Sequence, residues 1–135
     1  MSLATQPNTM LNNLVSLETT VSLEIRWPSG DKLTLPIDQP DFIIGRGSGN
    51  TFTVPVSYNY VSGNHFALRE MPDGYFIEDL NSTNGTSLNG RVLPANEPTP
   101  IKNGDLIRVG IERFGISISF TFHTPNDAKA PVSGF

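Results

Sequence analysis

Asp79-Leu80-Asn81-Ser82-Thr83-Asn84-Gly85-Thr86-Ser87-Leu88-Asn89-Gly90 is a run of short polar side chains bracketed by two leucines. It holds two Asn-Gly dipeptides, Asn84-Gly85 and Asn89-Gly90, which accept the positive φ of tight reversals. Between the turns, hydroxyls and amides can bond their own backbone or reach out to a partner. The stretch therefore reads as a polar loop of fixed shape between strands, and the chain on both sides agrees.

Upstream, Val21, Leu23, Ile25 and Trp27 alternate with Ser22, Glu24 and Arg26, the period-two pattern of a half-buried strand. Pro28-Ser29-Gly30-Asp31 supplies a turn, and residues 32–37 return as a second strand. Residues 41–44, 51–54, 65–69 and 75–80 read as further extended segments, the last two paired around Pro72-Asp73-Gly74. A long loop, 55–64, separates the second from the third. Downstream, Arg91-Val92-Leu93 is a short strand, the Pro-rich segment 94–100 a connection, and Asn103-Gly104 a hairpin-type turn into residues 105–109. Ile116, Ile118, Phe120 and Phe122 then alternate with Ser117, Ser119 and Thr121. No ten-residue segment has helical periodicity, and 12 Gly and 11 Pro in 135 residues supply many turns. The pattern predicts an all-β sandwich of one domain, 21–123, between a flexible N-terminal arm, 1–20, and a flexible C-terminal tail, 124–135.

Composition narrows the function. The net charge of −4 argues against nucleic acid, whose binding works by neutralising phosphates. There is no cysteine, hence no disulfide, thiolate nucleophile or cysteine zinc site, which suits a reducing compartment. Neither a secretory leader nor an apolar run of membrane-spanning length occurs, so a cytoplasmic protein with no membrane insertion is expected. Gly45-Arg46-Gly47-Ser48-Gly49 lacks the Lys-Ser/Thr ending of a phosphate loop and misses Gly-x-Ser-x-Gly. With only His65 and His123, no HExxH and no clustered carboxylates, neither a metal site nor a Ser-His-Asp triad is supported. No enzyme activity and no cofactor are expected.

Five short pieces occur in order: Gly45-Arg46, Ser62-Gly63-Asn64-His65, Ser82-Thr83-Asn84-Gly85-Thr86, Asn89-Gly90 and Asn103-Gly104-Asp105. Together they make the chain resemble the forkhead-associated (FHA) domain family over roughly residues 21–123. The resemblance implies a twisted two-sheet antiparallel β-sandwich that binds phosphothreonine peptides or proteins, downstream of a Ser/Thr kinase, through loops at one end. Phosphothreonine carries about −1.5 to −2 charge and three acceptor oxygens, and an arginine fork suits it.

The resemblance assigns Arg46 as the main phosphate ligand, Ser62 as a hydroxyl donor, Thr83 as a donor from the opposite side and Asn84 as the hold on the peptide backbone. His65 braces the loops from behind, while Gly45, Gly85 and Gly90, with Asn89, serve the backbone through permissive φ. Tyr60 and Gly63 stand where several relatives carry a basic or polar reader of the peptide's flanks, so a preference for an acidic residue after the phosphothreonine is not implied. The alternative is a phosphate-independent interaction module of the same fold. Glu18-Thr19-Thr20 also resembles a phosphorylation motif that precedes the domain in certain bacterial relatives, where the modified threonine docks onto its own domain.

Overall fold

The computed structural model describes residues 20–111 and 114–125. The arm 1–19 with Glu18 and Thr19, and the tail 126–135, lie outside the described residues. Alternating segments that each bury one face must find a second sheet to cover it, and among the described residues strands do so. These are β1 (Ser22–Arg26), β2 (Lys32–Pro36), β3 (Asp41–Gly45), β4 (Phe52–Thr53), β5 (Phe66–Met71), β6 (Gly74–Asp79), β7 (Thr86–Leu88), β8 (Arg91–Val92), β9 (Thr99–Ile101), β10 (Leu106–Ile111) and β11 (Ile116–His123). One sheet has the order β2-β1-β11-β10-β7-β8 and the other β4-β3-β5-β6-β9. All pairs but β3–β4, which is parallel, run antiparallel.

The core lies between the sheets, where Leu23, Ile25, Ile107, Ile118, Phe120 and Phe122 of the first meet Phe42, Ile44, Phe66, Leu68 and Ile77 of the second. Phe66 and Phe120 touch edge-to-face, centroids 5.2 Å apart at 82°, a geometry worth about 0.5–1.5 kcal/mol beyond area burial.

Two expectations need correction. Thr99–Ile101, which overlaps the end of the segment read as a mere connection, is a strand paired with Tyr75–Ile77 of β6. It tolerates Pro100 because β9 is the sheet edge, where a missing N–H leaves no ladder bond unmade. Asn103-Gly104 closes no hairpin, because β9 and β10 belong to different sheets. The turn instead carries the chain across the sandwich, held by Lys102 N–H donating to Asp105 Oδ2 at 2.9 Å.

Register also fixes the ends of the sandwich. Ser22 pairs with His123, while at the other end Thr86 pairs with Val109. Trp27, at the far end of β1, stacks on Tyr58 at 5.4 Å and touches Phe52. The turn after β1 and the loops before β5 and β7 therefore share the end away from Ser22 and His123.

Candidate functional site

At that end the backbone of three loops interlocks around Ser62. Arg46 N–H donates to the Ser62 carbonyl at 2.9 Å and Gly47 N–H to the Gly63 carbonyl at 2.9 Å. From the other side Thr83 N–H donates to Ser62 Oγ at 2.9 Å. Arg46, Ser62 and Thr83 are thus neighbours, although 36 residues of chain lie between the first and the last. Asn84 joins them through Nδ2, which donates to the Tyr60 carbonyl at 3.0 Å.

Each of these bonds leaves a particular function open. Arg46 Nε donates to the Val61 carbonyl at 2.8 Å, which orients the guanidinium and leaves its two terminal nitrogens unpartnered among the described residues. Ser62 Oγ is used as an acceptor, so its own O–H remains to be donated. Thr83 spends its N–H on Ser62 and keeps an exposed hydroxyl. The site offers two guanidinium nitrogens and two hydroxyls on interlocked loops, which is a donor set for a tetrahedral anion.

His65, 0% exposed, fastens the arrangement from beneath. Its Nδ1 accepts from Ser62 N–H at 2.9 Å, so the ring proton sits on Nε2 and is donated to the Gly85 carbonyl at 3.0 Å. Burial lowers its pKa, against the Gly85 carbonyl and the charge of Asp79, which raise it. The neutral tautomer is the one that can make both bonds.

Gly45 has a different reason from the one expected. Its φ is not positive, and what excludes a side chain is the approach of the neighbouring loop. A Cβ would land on the Gly63 carbonyl, 2.8 Å from its carbon and 2.9 Å from Asn64 Cα. Gly85 and Gly90 do take φ of 86°, and Asn89 takes 52°, so Asn89-Gly90 forms the reversal between β7 and β8. Asn84 does not enter the left-handed region. Asn81, at φ 60°, does so in its place, which frees the Asn84 side chain to bridge to Tyr60.

The sequence reading missed two groups and left a third without its packing role. Asp79, 3% exposed, accepts the Ser82 and Thr86 hydroxyls on Oδ1, both at 2.6 Å, and Ser82 N–H on Oδ2 at 3.1 Å. Ser82 Oγ in turn accepts Gly85 N–H at 3.0 Å, so the carboxylate shapes the whole turn that presents Thr83 and Asn84. Asn50 fastens the arginine loop, its amide donating to the carbonyls of Gly47 and Gly63 while its Oδ1 accepts from Asn64. Asp with Ser three residues on, and Asn beside Gly, are the available signals. The third is Tyr60, whose ring packs edge-on to Tyr58 at 6.1 Å and whose hydroxyl is buried without a partner among the described residues. Its side chain is therefore a packing group with its hydroxyl turned inward.

Among the described residues no cluster of His, Cys, Asp and Glu could hold a metal, and no helix is long and apolar enough to cross a membrane.

Comparison with known proteins bears on the family and the fold. The sequence model of the FHA domain matches residues 42–110. The FHA domain-containing protein FhaA of Mycobacterium tuberculosis (strain ATCC 25618 / H37Rv) is 35% identical over 89 residues, 66% of this chain and 16% of that protein; the chain thus spans 16% of the length of the curated relative it matches. Among solved structures, the FhaA FHA domain complexed with the intracellular domain of Rv3910 is similar at 29% identity and TM-score 0.60, over 77% of this chain and 100% of that one. A structure from an analysis of phosphothreonine-dependent FHA domain interactions is similar at 27% identity and TM-score 0.60, over 78% and 97%. The N-terminal FHA domain of S. cerevisiae Rad53p, solved with a phosphothreonine peptide, shares the fold at 20% identity and TM-score 0.67, over 81% and 98%.

Proposed function

The chain belongs to the FHA domain family, and from that premise we propose that it is a non-catalytic module that binds phosphothreonine-bearing peptides or proteins produced by a Ser/Thr kinase. Arg46 takes the phosphate with its two terminal nitrogens, Ser62 and Thr83 donate hydroxyls to the remaining oxygens, and Asn84 holds the peptide backbone. His65, Gly45, Gly85, Asn89 and Gly90 support the loops and make no ligand contact. The reading places the protein in the cytoplasm, with neither nucleic acid nor a membrane as its target.

The observation that carries it is the position of Ser62, bonded through its carbonyl to Arg46 N–H and through Oγ to Thr83 N–H. One serine thereby sets the arginine and the threonine on the two sides of a single point. Hydrogen bonds to a charged group contribute about 1.5–3 kcal/mol each, so losing the two Arg46 terminal bonds should weaken binding by about a hundredfold or more.

Calorimetric titration with a phosphothreonine peptide library and its unphosphorylated twins tests this. Wild type is expected to bind only phosphorylated peptides, and Arg46→Ala to lose them while remaining folded at the assay temperature, its melting lowered only by the lost bond to the Val61 carbonyl. Equal binding of both libraries, or binding indifferent to Arg46→Ala, defeats the proposal and favours the phosphate-independent module.

A further inference from the structure

The six-stranded sheet turns one face to the core, and register fixes which side chains share the other. Residues directly opposite across a ladder lie on the same face. Lys32, Arg26, Ser119, Arg108, Ser87 and Val92 pair in succession and so form one rung across all six strands. Their chain neighbours Ile25, Ile107, Ile118, Phe120 and Leu88 are buried, so the rung faces outward.

Its charge is of one sign. Lys32 lies 3.9 Å from Glu24, whereas Arg26 and Arg108 are exposed and have neither ion pair nor hydrogen bond among the described residues. They sit two strands apart, about 10 Å at the usual strand spacing, with only the short Ser119 between them. The outer face of the other sheet is built differently, since Arg69 there is neutralised by Asp41 at 2.8 Å and Glu78 at 3.0 Å. Glu24, two residues from Arg26 on the same face, pairs with Lys32 and His123 and leaves both arginines uncompensated.

The rung also runs into the loops. A groove of about 410 Å³ is lined by Asn84, Ser87, Val92, Arg108 and Gly110 among others, so Arg108 and Asn84 belong to one continuous surface. We propose that this rung is a second docking surface for an acidic segment of the partner, with Arg108 and Arg26 as its anion contacts. The inference rests on the phosphothreonine reading of the neighbouring loops and extends it to the partner's flank. An extended peptide advances about 3.3 Å per residue. From Asn84, three residues of chain and one strand spacing lead to Arg108, about 11 Å, and Arg26 lies about 10 Å further on. The acidic residues therefore stand about four to seven positions from the phosphothreonine. Because Tyr60 is turned inward and Gly63 is bare, this recognition falls to the sheet and not to the loop ahead of Ser62.

The test uses the full chain at low ionic strength, with fluorescence anisotropy of a phosphothreonine peptide carrying neutral flanks and of versions with Asp and Glu four to seven positions away on either side. The acidic flank on one side is expected to tighten wild-type binding by about fivefold, with the gain shrinking as salt rises. In the Arg26→Ser, Arg108→Ser double variant the gain disappears and the affinity for the neutral-flank peptide stays as in wild type. A gain absent from wild type, a gain that survives in the double variant, or an equal loss for the neutral peptide overturns the proposal. Should no phosphopeptide bind wild type, the reading of the loops is what has failed. NMR titration with the unphosphorylated acidic segment then decides the sheet face alone: amide shifts at Ser117, Ser119 and Arg108 that vanish in the double variant support it, and their absence refutes it. Tighter, arginine-dependent binding of an oligonucleotide or an anionic vesicle would refute the acidic-peptide assignment.

Discussion

Replacing Asp79 by Asn changes one atom and should cost more than any exposed substitution in the domain. The carboxylate is buried and accepts two hydroxyl protons on Oδ1 at 2.6 Å and one backbone N–H on Oδ2 at 3.1 Å. An amide can face either way. With its oxygen toward Ser82 and Thr86, its NH₂ confronts Ser82 N–H, donor against donor. Turned over, it keeps that N–H but strands the hydroxyl protons, and Thr86 is only 1% exposed. In both orientations at least one bond is lost and the others cease to be charge-assisted. At about 1.5–3 kcal/mol per hydrogen bond to a charged group, the expected cost is about 2–3 kcal/mol. Asp79→Ala, which removes all three acceptors, should cost about 3–5 kcal/mol. The amide variant should therefore melt about 10 °C or more below wild type, since 1 kcal/mol shifts a domain of this size by about 4–8 °C. Urea denaturation followed by the fluorescence of Trp27, the sole tryptophan, which is stacked on Tyr58, measures it. Asp105→Asn is the control, because that carboxylate serves an exposed turn and accepts from Lys102 N–H and Asn89 Nδ2; about 1 kcal/mol is expected there. If Asp79→Asn unfolds within about 0.5 kcal/mol of wild type, the range of neutral surface changes, the carboxylate is not what holds the turn.

Gly45→Ala drives a methyl into the Gly63 carbonyl and should cost about 1–3 kcal/mol, read by denaturation, with a loss of phosphopeptide affinity because Ser62 shifts; Gly47→Ala, 3.1 Å from the same oxygen, should be milder. The reversal at Asn89-Gly90 requires positive φ at both residues, so Gly90→Val should destabilise by about 1–2 kcal/mol without changing affinity for the phosphopeptide. His65 is held neutral by burial. Below about pH 6.5 the unfolded chain takes up a proton that the folded one refuses. Its contribution is thus complete above that pH and lost as pH falls towards the depressed folded value, by at most about 1.4 kcal/mol per pH unit. Subtracting the urea-derived profile of His65→Asn from that of wild type should isolate a one-proton slope, and parallel profiles would contradict the assigned tautomer.

The sandwich was legible in the sequence because its signal is local. Alternation in β1 and β11 and the turn at Asn89-Gly90 need only neighbouring residues to be read. β9 was hidden because Pro94, Pro98 and Pro100 say connection, and only the edge position makes Pro100 compatible with a strand. That Arg46, Ser62 and Thr83 would be neighbours was legible through a family pattern and not through physics, since Arg46 and Thr83 meet only when Ser62 bonds to both. Asp79 lay in plain sight, yet its role follows from burial, which an isolated aspartate does not announce. The rung of Arg26, Ser119 and Arg108 was out of reach, because it exists only once strands from opposite ends of the chain are set in register.

The pairing of Ser22 with His123 has a consequence for how such a unit is wired into a longer polypeptide. Entry and exit lie one strand spacing apart, at the pole opposite Arg46, Ser62 and Thr83. Any chain attached before Ser22 or after His123 meets the module at a single point, as a stalk meets a bud. The recognition pole is then free to sweep the volume that the stalk allows, and pulling on the two attachments loads the adjoining strands β1 and β11 while leaving the distant loops at rest.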